Sequence, residues 1–432
     1  MSESSSDPSS GLAHSVAALK LVLDRSRSDF AVQQVRAVEA EDWSLREGAL
    51  QHRSGGFFSV TGIRDAAGEA VMLYQPQAAI TGVITARIGG VRHFLLQARA
   101  EPGCVGSAQF GPTVQSTPAN FMRLHGGGAT PLVDAFIGLD PSISVLGDTT
   151  QLDLGERYLC KSKRSIILET QAPPAPPPAF TWATPKAIRE AVCKSAFLNT
   201  DLRSIIAVSD WSADDDTGEL SPVSETVRKS LLSPVRADVI GEVATRLSGH
   251  VRPAARFVPL DALQNWRETE WGWGERVGTQ GFAIDFFKVS ASYREKASWT
   301  QPLVNSGSDG HVVLACRERS SLLEMFVRVA PERGLVTGAA LAPSCVRYPG
   351  AAGHVPSWLA QAKAWASSQE SDEGGRFFCD TSLYEMVRTD DVVADEGSGF
   401  WLRLSELKLF LRMSNVCTIQ LRGIASHLLA VA

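Results

Sequence analysis

The hydrophobic and polar positions of residues 89–103, GGVRHFLLQARAEPG, alternate as in a β-strand with two different faces. Successive side chains of a strand point to opposite faces. The polar face of this strand holds Val91, His93, Leu95, Gln97, Arg99 and Glu101. The apolar face holds Phe94, Leu96, Ala98 and Ala100. The apolar face is typical of a core, and the polar face indicates either the floor of a binding site or a solvent-exposed surface.

The same kind of pattern predicts further strands and a helix, and therefore an α+β fold. FFSVTGI at 57–63 and GVITARI at 82–88 read as short strands. A helix is predicted over 185–198, because proline suits a first helical turn and apolar residues recur there every four positions. The preceding APPAPPPA at 172–179 is expected to be a stiff connector, with a partner-binding polyproline segment as the alternative.

An internal repeat with a period near 220 to 230 residues divides the chain. FFSV at 57–60 returns as FFKV at 286–289, and GERYL at 155–159 returns as GGRFF at 374–378. A repeat of this length indicates a duplicated domain, since solenoid units have about 20 to 50 residues. The acidic segment WSADDDTGELSP at 211–222 marks the boundary. The predicted divisions are a disordered tail at 1–28, a first module at 29–212, a linker at 213–250 and a second module at 251–432.

The two copies differ at the strand described above. The FFSV and FFKV motifs set an offset of 229 residues. The resulting pairs are His93 with Leu322, Gln97 with Phe326, Arg99 with Arg328, and Glu101 with Ala330. A buried polar group without a partner costs about 1 to 3 kcal/mol, so a copy without a ligand gains stability by losing such groups. We therefore expect the site in the first module, and an apolar second copy in which Leu322, Met325 and Phe326 are buried by pocket collapse or self-association.

Composition and missing motifs exclude several functional classes. The 432 residues carry 42 Lys and Arg against 47 Asp and Glu, so the net charge of -5 gives no broad basic surface for nucleic acid or a membrane. The start MSESSSDPSSG lacks the basic and apolar regions of a secretion signal, and the seven cysteines are scattered singly. These features predict a cytoplasmic protein with reduced thiols. No GxSxG, GxGxxG, GxxxxGK[ST] or HExxH motif is present, so the nucleophile, cofactor and metal sites that these motifs form are not expected.

Four segments resemble motifs of the NDP-hexose 2,3-dehydratase family. They are QPQAAITGVITARIGGVRHFLLQARAEPG at 75–103, GPTVQSTPANF at 111–121, SDEGGRFF at 371–378 and LRMSNVCTIQLRG at 411–423. The resemblance implies two tandem Nudix-like modules with mixed or antiparallel sheets flanked by helices, assembled as a homodimer. In the second module, Arg376, Asn415 and Arg422 fit the closing motifs, although structural roles explain them equally well.

The same resemblance implies a lyase that needs no metal or cofactor. Its substrate would be a dTDP-linked 4-keto-6-deoxyhexose, which loses the C2 hydroxyl to give a 3,4-diketo-2,6-dideoxy sugar for a downstream sugar 3-ketoreductase in antibiotic biosynthesis. The C4 ketone acidifies the C3 hydrogen, so a base removes it and the C2 hydroxyl leaves with the help of an acid. The alternatives are a metal-dependent Nudix-type pyrophosphohydrolase, disfavoured because no acidic metal-binding box follows Glu101, and a noncatalytic nucleotide-sugar-binding protein.

Position on the strand and chemistry select the candidate site residues. Glu101 and His93 are the candidate base and acid, in either order. A histidine hydrogen-bonded in the core and a glutamate capping the EPG turn are the structural alternatives. Arginines suit a diphosphate or an enolate oxygen, and alternating polar residues suit the nucleoside and sugar hydroxyls. The candidate substrate-binding residues chosen in this way are Arg87, Gln97, Arg99, Thr113, Gln115 and Thr117. The resemblance to the family adds Asn120, Gln151, Arg157 and Tyr158, which match its motif positions.

Overall fold

A computed structural model gives the fold of the chain from residue 11 to residue 431. The residues outside its description are 1–10, 125, 139–141, 210–221, 277–279, 292–293, 295, 353–355, 390–398 and 432. The predicted boundary segment at 211–222 lies almost entirely outside the described residues.

The first half of the chain contains fourteen strands and five helices in its described part. The strands are β1 (Leu12–Ala13), β2 (Phe30–Gln34), β3 (Trp43–Arg46), β4 (Ala49–His52), β5 (Ser59–Asp65), β6 (Gly68–Tyr74), β7 (Ala79–Ile88), β8 (Val91–Ala100), β9 (Ala108–Gly111), β10 (Val114–Ser116), β11 (Ile143–Leu152), β12 (Tyr158–Leu159), β13 (Ser162–Thr170) and β14 (Phe180–Ala183). The helices are α1 (Val16–Arg27), α2 (Pro118–Phe121), α3 (Asp134–Ile137), α4 (Pro185–Val192) and α5 (Thr200–Val208).

The second half repeats this order with fewer short elements. Its strands are β15 (Arg256–Val258), β16 (Trp266–Glu268), β17 (Gly272–Glu275), β18 (Ala283–Ala291), β19 (Ser298–Asn305), β20 (Gly310–Arg319), β21 (Leu322–Pro331), β22 (Ala339–Ala342), β23 (Cys345–Arg347), β24 (Lys363–Ser371), β25 (Thr381–Arg388) and β26 (Gly399–Arg403). Its helices are α6 (Pro222–Leu231), α7 (Ala237–Ser248), α8 (Leu404–Leu411) and α9 (Ile419–Val431). No helix in the described part of the chain is both long and apolar enough to span a membrane.

Four mixed or antiparallel sheets carry these strands, which confirms the predicted α+β fold. One large sheet has the order β1-β14-β8-β7-β13-β11, and its counterpart has the order β22-β21-β20-β25-β24. Strands β7 and β13 run parallel, as do β20 and β25, and most other neighbours are antiparallel. The predicted alternation of β8 is confirmed, because Leu96 and Ala98 join the core under the helices while Leu95 packs into a separate cluster on the opposite face.

The two modules exchange strands, and this makes them one structural unit. Strand β2 from the first half pairs with β18 of the second half, and β15 from the second half pairs with β5 of the first half. Each smaller sheet is thus completed by a strand from the other half of the chain. Module boundaries drawn as consecutive segments of sequence do not describe this exchange.

Two of the predicted segment assignments are wrong. Part of the expected tail at 1–28 is ordered, because Ser15 caps α1 and this helix buries Leu19 and Leu23 in the core. The expected linker at 213–250 contains α6 and α7, which bury Val227 and Val243 in the same core. Both segments have amphipathic patterns that the boundary assignment did not use.

Equivalent hydrogen bonds define how the two modules correspond. The Thr113 hydroxyl donates to Leu95 O and accepts from Ile84 N, joining β8 to β7. The Ser344 hydroxyl makes the same two bonds, to Phe326 O and from Ala315 N, with every residue number larger by 231. For the segment from β11 to α5 the numbers differ by 219, since Gln151 lies opposite Lys163 as Glu370 lies opposite Ser382.

This correspondence corrects the comparison based on FFSV and FFKV. Val60 pairs with Leu73 in the first module, and Ile284 pairs with Val304 in the second, so the FFKV motif is displaced by five residues from the true counterpart of FFSV. The apolar residues are dense along β18, and several registers match equally well by sequence.

The offset of 229 therefore gives the wrong partners for β8. With the structural offset of 231, Glu101 corresponds to Glu332, Arg99 to Ala330, Gln97 to Arg328 and His93 to Glu324. The second module has kept the glutamate and lost the arginine, which is the reverse of the prediction. Met325 and Phe326 are buried as expected, by contacts within this chain, whereas Leu322 is only half-buried.

Candidate active site

A pocket lies where the first module meets a loop of the second module. The turn after β8, strand β10, the start of β13 and the first turn of α5 form its first-module side. The facing side comes from β19 and from the loop between β24 and β25. Five residues of the predicted set line it: Arg99, Glu101, Gln115, Thr117 and Asn120.

A backbone contact holds the second-module loop against the turn after β8. Gly103 N donates to Gly374 O over 2.8 Å, and Cys379 N donates to Gly103 O over 3.0 Å. There is no room for a side chain here, because a Cβ on Gly374 would lie 2.5 Å from Cys104 Sγ and a Cβ on Gly103 would lie 1.5 Å from Phe377 O. This contact fixes the loop and the side chains that it carries into the pocket.

Three carboxylates converge on one lysine beneath the pocket. Lys163 Nζ lies 2.8 Å from Glu373, 2.9 Å from Asp201 and 3.1 Å from Asp153. Lys161 Nζ lies 3.8 Å from both Asp153 and Glu373, so a second ammonium shares the charge of this cluster. The cluster joins strand β13 and helix α5 of the first module to the loop of the second. Buried charges require such pairing, because their desolvation is costly.

The pKa of Asp201 is raised and that of Glu373 is lowered, although both carboxylates pair with Lys163. Burial raises the pKa of Asp201 to about 6, and the nearby Lys163 only partly counters this effect. Burial acts on Glu373 as well, but Lys161, Lys163 and Arg376 outweigh it and hold its pKa well below the usual range. Asp201 Oδ1 holds Lys163, whereas the buried Oδ2 has no hydrogen-bond partner in the described structure. Asp201 thus has one buried, unpartnered carboxylate oxygen in the described structure, and the pKa of its carboxyl group is raised to about 6.

The pocket has more positive than negative side chains. Glu101 forms a buried ion pair with Arg99 at 2.6 Å, and Arg294 lies 3.8 Å from the same carboxylate oxygen. The lining contains five cations (Arg99, Lys163, Arg294, Lys296 and Arg376) and three carboxylates (Glu101, Asp201 and Glu373). Four large aromatic side chains also line the pocket: Trp43, Phe57, Phe58 and Trp299. The arrangement suits a ligand with a flat ring and about two negative charges.

His93 does not belong to this pocket. Glu101 lies eight positions further along the extended chain, which corresponds to about 26 Å at the usual rise of a strand. The His93 Nδ1 atom lies 2.9 Å from Val91 O, and the His93 ring packs edge-on against His14. Burial lowers the pKa of His93. The prediction that His93 and Glu101 act on one substrate is corrected by this geometry, since strand length keeps the two side chains apart.

Other candidate residues lie outside the pocket as well. Arg87 is exposed and hydrogen-bonds Gly90 O at the opposite end of the same sheet. Gln97 is half-buried in a neighbouring cavity that shares Arg99 with the pocket. Thr113 has the structural role described above. None of these positions brings a polar atom to the lysine cluster.

The three candidates from the segment 151–158 lie where the two modules meet. Gln151 donates to Leu411 O over 3.3 Å. Arg157 points into the second module, where it donates to Pro349 O over 2.7 Å. Tyr158 is buried, and its hydroxyl donates to Glu373 over 3.3 Å, so it supports the cluster from behind. Arg376, the second-module counterpart of Arg157, enters the first-module pocket instead and lies over the Phe58 ring at 4.2 Å.

The corresponding place in the second module is filled by side chains. Tyr348 stands where the first module has Thr117, and its hydroxyl donates to Glu332 over 2.8 Å. The Arg157 guanidinium lies over the Phe282 ring at 4.4 Å and near the Tyr348 ring. The absence of a ligand site in the second copy stays a prediction, and the side chains that fill this place differ from the residues predicted to be buried there.

The sequence argument missed Lys163, Asp201 and Glu373. A comparison of the two modules in the correct register would have singled out all three residues. With the offset of 219, their counterparts are Ser382, Gln420 and Leu154, and every charge is replaced by a neutral side chain. Asp201 lies in the segment NTDLRS at 199–204, and Glu373 lies in the motif SDEGGRFF, where the sequence comparison named Arg376 and not Glu373. Among the described residues, no group of three or more His, Cys, Asp and Glu side chains could hold a metal ion.

Comparisons with known proteins identify the family. The family model for NDP-hexose 2,3-dehydratase matches residues 20–208 and 240–428, once for each module. The chain therefore belongs to this family of sugar-nucleotide lyases.

Individual relatives give the same result. A dTDP-4-dehydro-6-deoxy-alpha-D-glucopyranose 2,3-dehydratase of Saccharopolyspora spinosa is 29% identical over 88% of this chain and 83% of its own length. A protein of the same name from Amycolatopsis orientalis is 26% identical over 94% of this chain and 88% of its own length. Among solved structures, the Nudix hydrolase RenU of M. smegmatis matches 29% of this chain and 81% of its own, with 16% identity and a TM-score of 0.20. That likeness is too small to support an argument about the fold.

Proposed function

We propose that this chain is a cytoplasmic 2,3-dehydratase that acts on a dTDP-linked 4-keto-6-deoxyhexose. The relatives named above support the substrate class, and the charge and shape of the pocket between the modules agree with it. The observation that carries the proposal is the buried, unpartnered Asp201 oxygen beside the Lys163 ammonium in the lining of that pocket.

The binding half of the proposal rests on the cations and aromatic rings of the pocket. A diphosphate diester has two negative charges, and the lining has a surplus of two positive side chains. Arg99 and Arg294 would contact the diphosphate, because guanidinium groups match its oxygen atoms. Trp43 and Trp299 would stack on the nucleobase. Glu101 positions both arginines, and Gln115 and Asn120 would bind sugar hydroxyls.

The chemical half assigns the base to Asp201. A carboxylate with a pKa near the working pH is an effective base at neutrality. Asp201 would take the C3 proton while the Lys163 ammonium stabilises the enolate oxygen that develops from the C4 ketone. The protonated Asp201 would then return its proton to the departing C2 hydroxyl, which leaves as water. The resulting enol tautomerises to the diketone, so the proton count is balanced.

The test uses the purified chain with dTDP-4-keto-6-deoxyglucose in the presence of EDTA. We expect a product lighter by one water, trapped by reduction before it decomposes. Asp201→Asn should lower kcat by about 100-fold or more and leave the far-ultraviolet circular dichroism spectrum unchanged. Asp148→Asn, at an exposed aspartate paired with Arg164, is the matched control. Release of a nucleoside monophosphate that depends on magnesium would instead favour the hydrolase, and binding without turnover would favour a binding protein.

The proposal extends to the assembly and to the next enzyme. The family resemblance implies a homodimer, and sedimentation as a monomer at micromolar concentration would exclude it. The unstable diketone product requires a sugar 3-ketoreductase to consume it. Adding such an enzyme with its nicotinamide cofactor to the assay should convert a transient product into a stable hydroxy sugar.

A further inference from the structure

Glu373 belongs to the second module, but its carboxylate lies in the first-module site and pairs with Lys163, which also pairs with Asp201. The Lys163 ammonium lies 2.8 Å from Glu373 and 2.9 Å from Asp201, so it bridges the two carboxylates. Glu373 also accepts a hydrogen bond from Tyr158 and lies near Lys161. It is thus held on several sides, whereas Asp201 keeps one oxygen unpartnered in the described structure.

On the basis of the proposed function, we propose that Glu373 is a positioning residue that holds the Lys163 ammonium in place and so keeps one Asp201 oxygen free for the substrate. The second module then supplies part of the machinery of the first-module site, although its own pocket is filled. Without Glu373, the whole charge of Lys163 would fall on Asp201 and Asp153. The ammonium would pair more closely with Asp201 and make it a weaker base.

The second module provides an internal comparison for this role. Its counterparts of Lys163, Asp201 and Glu373 are Ser382, Gln420 and Leu154, so the three charges are absent together. The backbone contact is nevertheless the same, because Gly334 N donates to Gly155 O over 2.8 Å and Cys160 N donates to Gly334 O over 2.7 Å. The fold therefore forms this contact without the charged trio. Buried ion pairs add little to stability compared with neutral residues, which points to a chemical purpose for the trio.

The direction of the effect follows from the charges around Asp201. Lys163 on β13 lowers the Asp201 pKa, and Glu373 and Asp153 raise it, with burial as the largest cause of its value near 6. Tyr158 and Arg422 also lie close enough to interact with Asp201. Removal of the Glu373 charge takes away one raising contribution and leaves Lys163 to act more strongly. The Asp201 pKa should therefore fall.

The experiment compares pH profiles of kcat for the full chain and for Glu373→Gln. We expect kcat to fall at least tenfold, and the acid limb of the profile to move by about one pH unit towards lower pH. KM should change by less than about threefold, because Glu373 does not carry the binding charge. Glu332→Gln is the matched control, since Glu332 is a buried carboxylate at the equivalent module contact and lies outside the first-module pocket. That control should leave the acid limb unchanged.

Each result has a defined meaning. A lower melting temperature with an unchanged acid limb and kcat would show a purely structural role and overturn the inference. If Glu373→Gln does not fold, Glu373→Asp decides, because its shorter carboxylate should move the limb part of the way in the same direction, and an unchanged limb would again overturn the inference. An Asp201→Asn variant with the parental rate would instead contradict the proposed function. An inactive Asp201→Asn with a fully normal Glu373→Gln would contradict the role of Glu373 alone.

Discussion

Gly103 and Gly374 form a hydrogen bond across the boundary of the two modules, from Gly103 N to Gly374 O over 2.8 Å. Its counterpart joins Gly334 N to Gly155 O over the same distance. Each module therefore extends one loop to the turn of the other. The two contacts have the same backbone hydrogen bonds. They differ in the residue before the acceptor glycine, which is Glu373 before Gly374 and Leu154 before Gly155. The same backbone frame thus carries a charged cluster beside an open pocket in the first module and side chains that fill the equivalent place in the second.

The first prediction concerns the space at this contact. Gly374→Ala would place a Cβ 2.5 Å from Cys104 Sγ and 2.9 Å from Cys104 N, so the loop that carries Glu373 must shift. We expect kcat to fall at least tenfold and the melting temperature to drop by several degrees. Gly375→Ala is the matched stability control, because its Cβ would meet its nearest neighbours at 3.7 Å, an ordinary contact distance. Equal melting temperatures for the two variants would contradict this account of the contact.

The second prediction exchanges residues between equivalent positions. Thr117→Tyr should fill the first-module pocket as Tyr348 fills the second, and we expect loss of dTDP binding by calorimetry without loss of the fold. Thr113→Ser is the control, because Ser344 makes the same two hydrogen bonds at the equivalent position. That variant should bind dTDP with the parental affinity. Retention of binding by Thr117→Tyr would mean that the ligand occupies a different cavity.

The third prediction separates the two residues that the sequence pattern joined. His93→Asn should change kcat and KM by less than about threefold, because about 26 Å of strand lies between His93 and Glu101. Glu101→Gln should raise KM at least tenfold, since Arg99 and Arg294 lose the carboxylate that orients them. Steady-state kinetics on both variants is the measurement. A hundredfold loss of kcat in His93→Asn would restore the original assignment.

Local pattern predicted the strand and its two faces, and the repeat predicted two modules of α+β structure. Both depend on residues close in sequence or on long stretches of similarity, which a single sequence displays. The register of the repeat was not predictable from FFSV and FFKV, because an apolar strand matches another at several offsets. Hydrogen bonds of Thr113 and Ser344 fix it in the structure.

The residues of the candidate site could not be grouped from the sequence, because they are distant along the chain and meet only in the folded structure. Glu373 follows Lys163 by 210 residues, and only the crossed loops bring them together. A tandem arrangement predicts that each loop serves its own module, whereas the loop that carries Glu373 reaches the pocket of the first module. Lys163 lies on a strand pattern that is otherwise that of a core, and Asp201 lies in a first helical turn where an acidic residue is usual. In the sequence alone, neither residue differs from an ordinary strand or helix residue, because the charges that surround it come from distant segments.

The last prediction concerns the pH dependence of stability. Burial raises the pKa of Glu332 to about 7, above the value near 4.5 of an unfolded chain. At pH values between 4.5 and 7, the Glu332 carboxyl group is protonated in the folded chain and ionised in the unfolded chain. The stability that this protonated group contributes is therefore fully present below pH 4.5 and is lost as the pH rises through 7. Glu332→Gln removes the titration and keeps a polar side chain of similar size. The free energy of unfolding of the variant, relative to the parent, should therefore increase from pH 5 to pH 7 by at most about 1.4 kcal/mol per pH unit, and then level off. Urea unfolding of both proteins across this range measures the difference, and a difference that does not change with pH would show that Glu332 is ionised in the folded chain throughout.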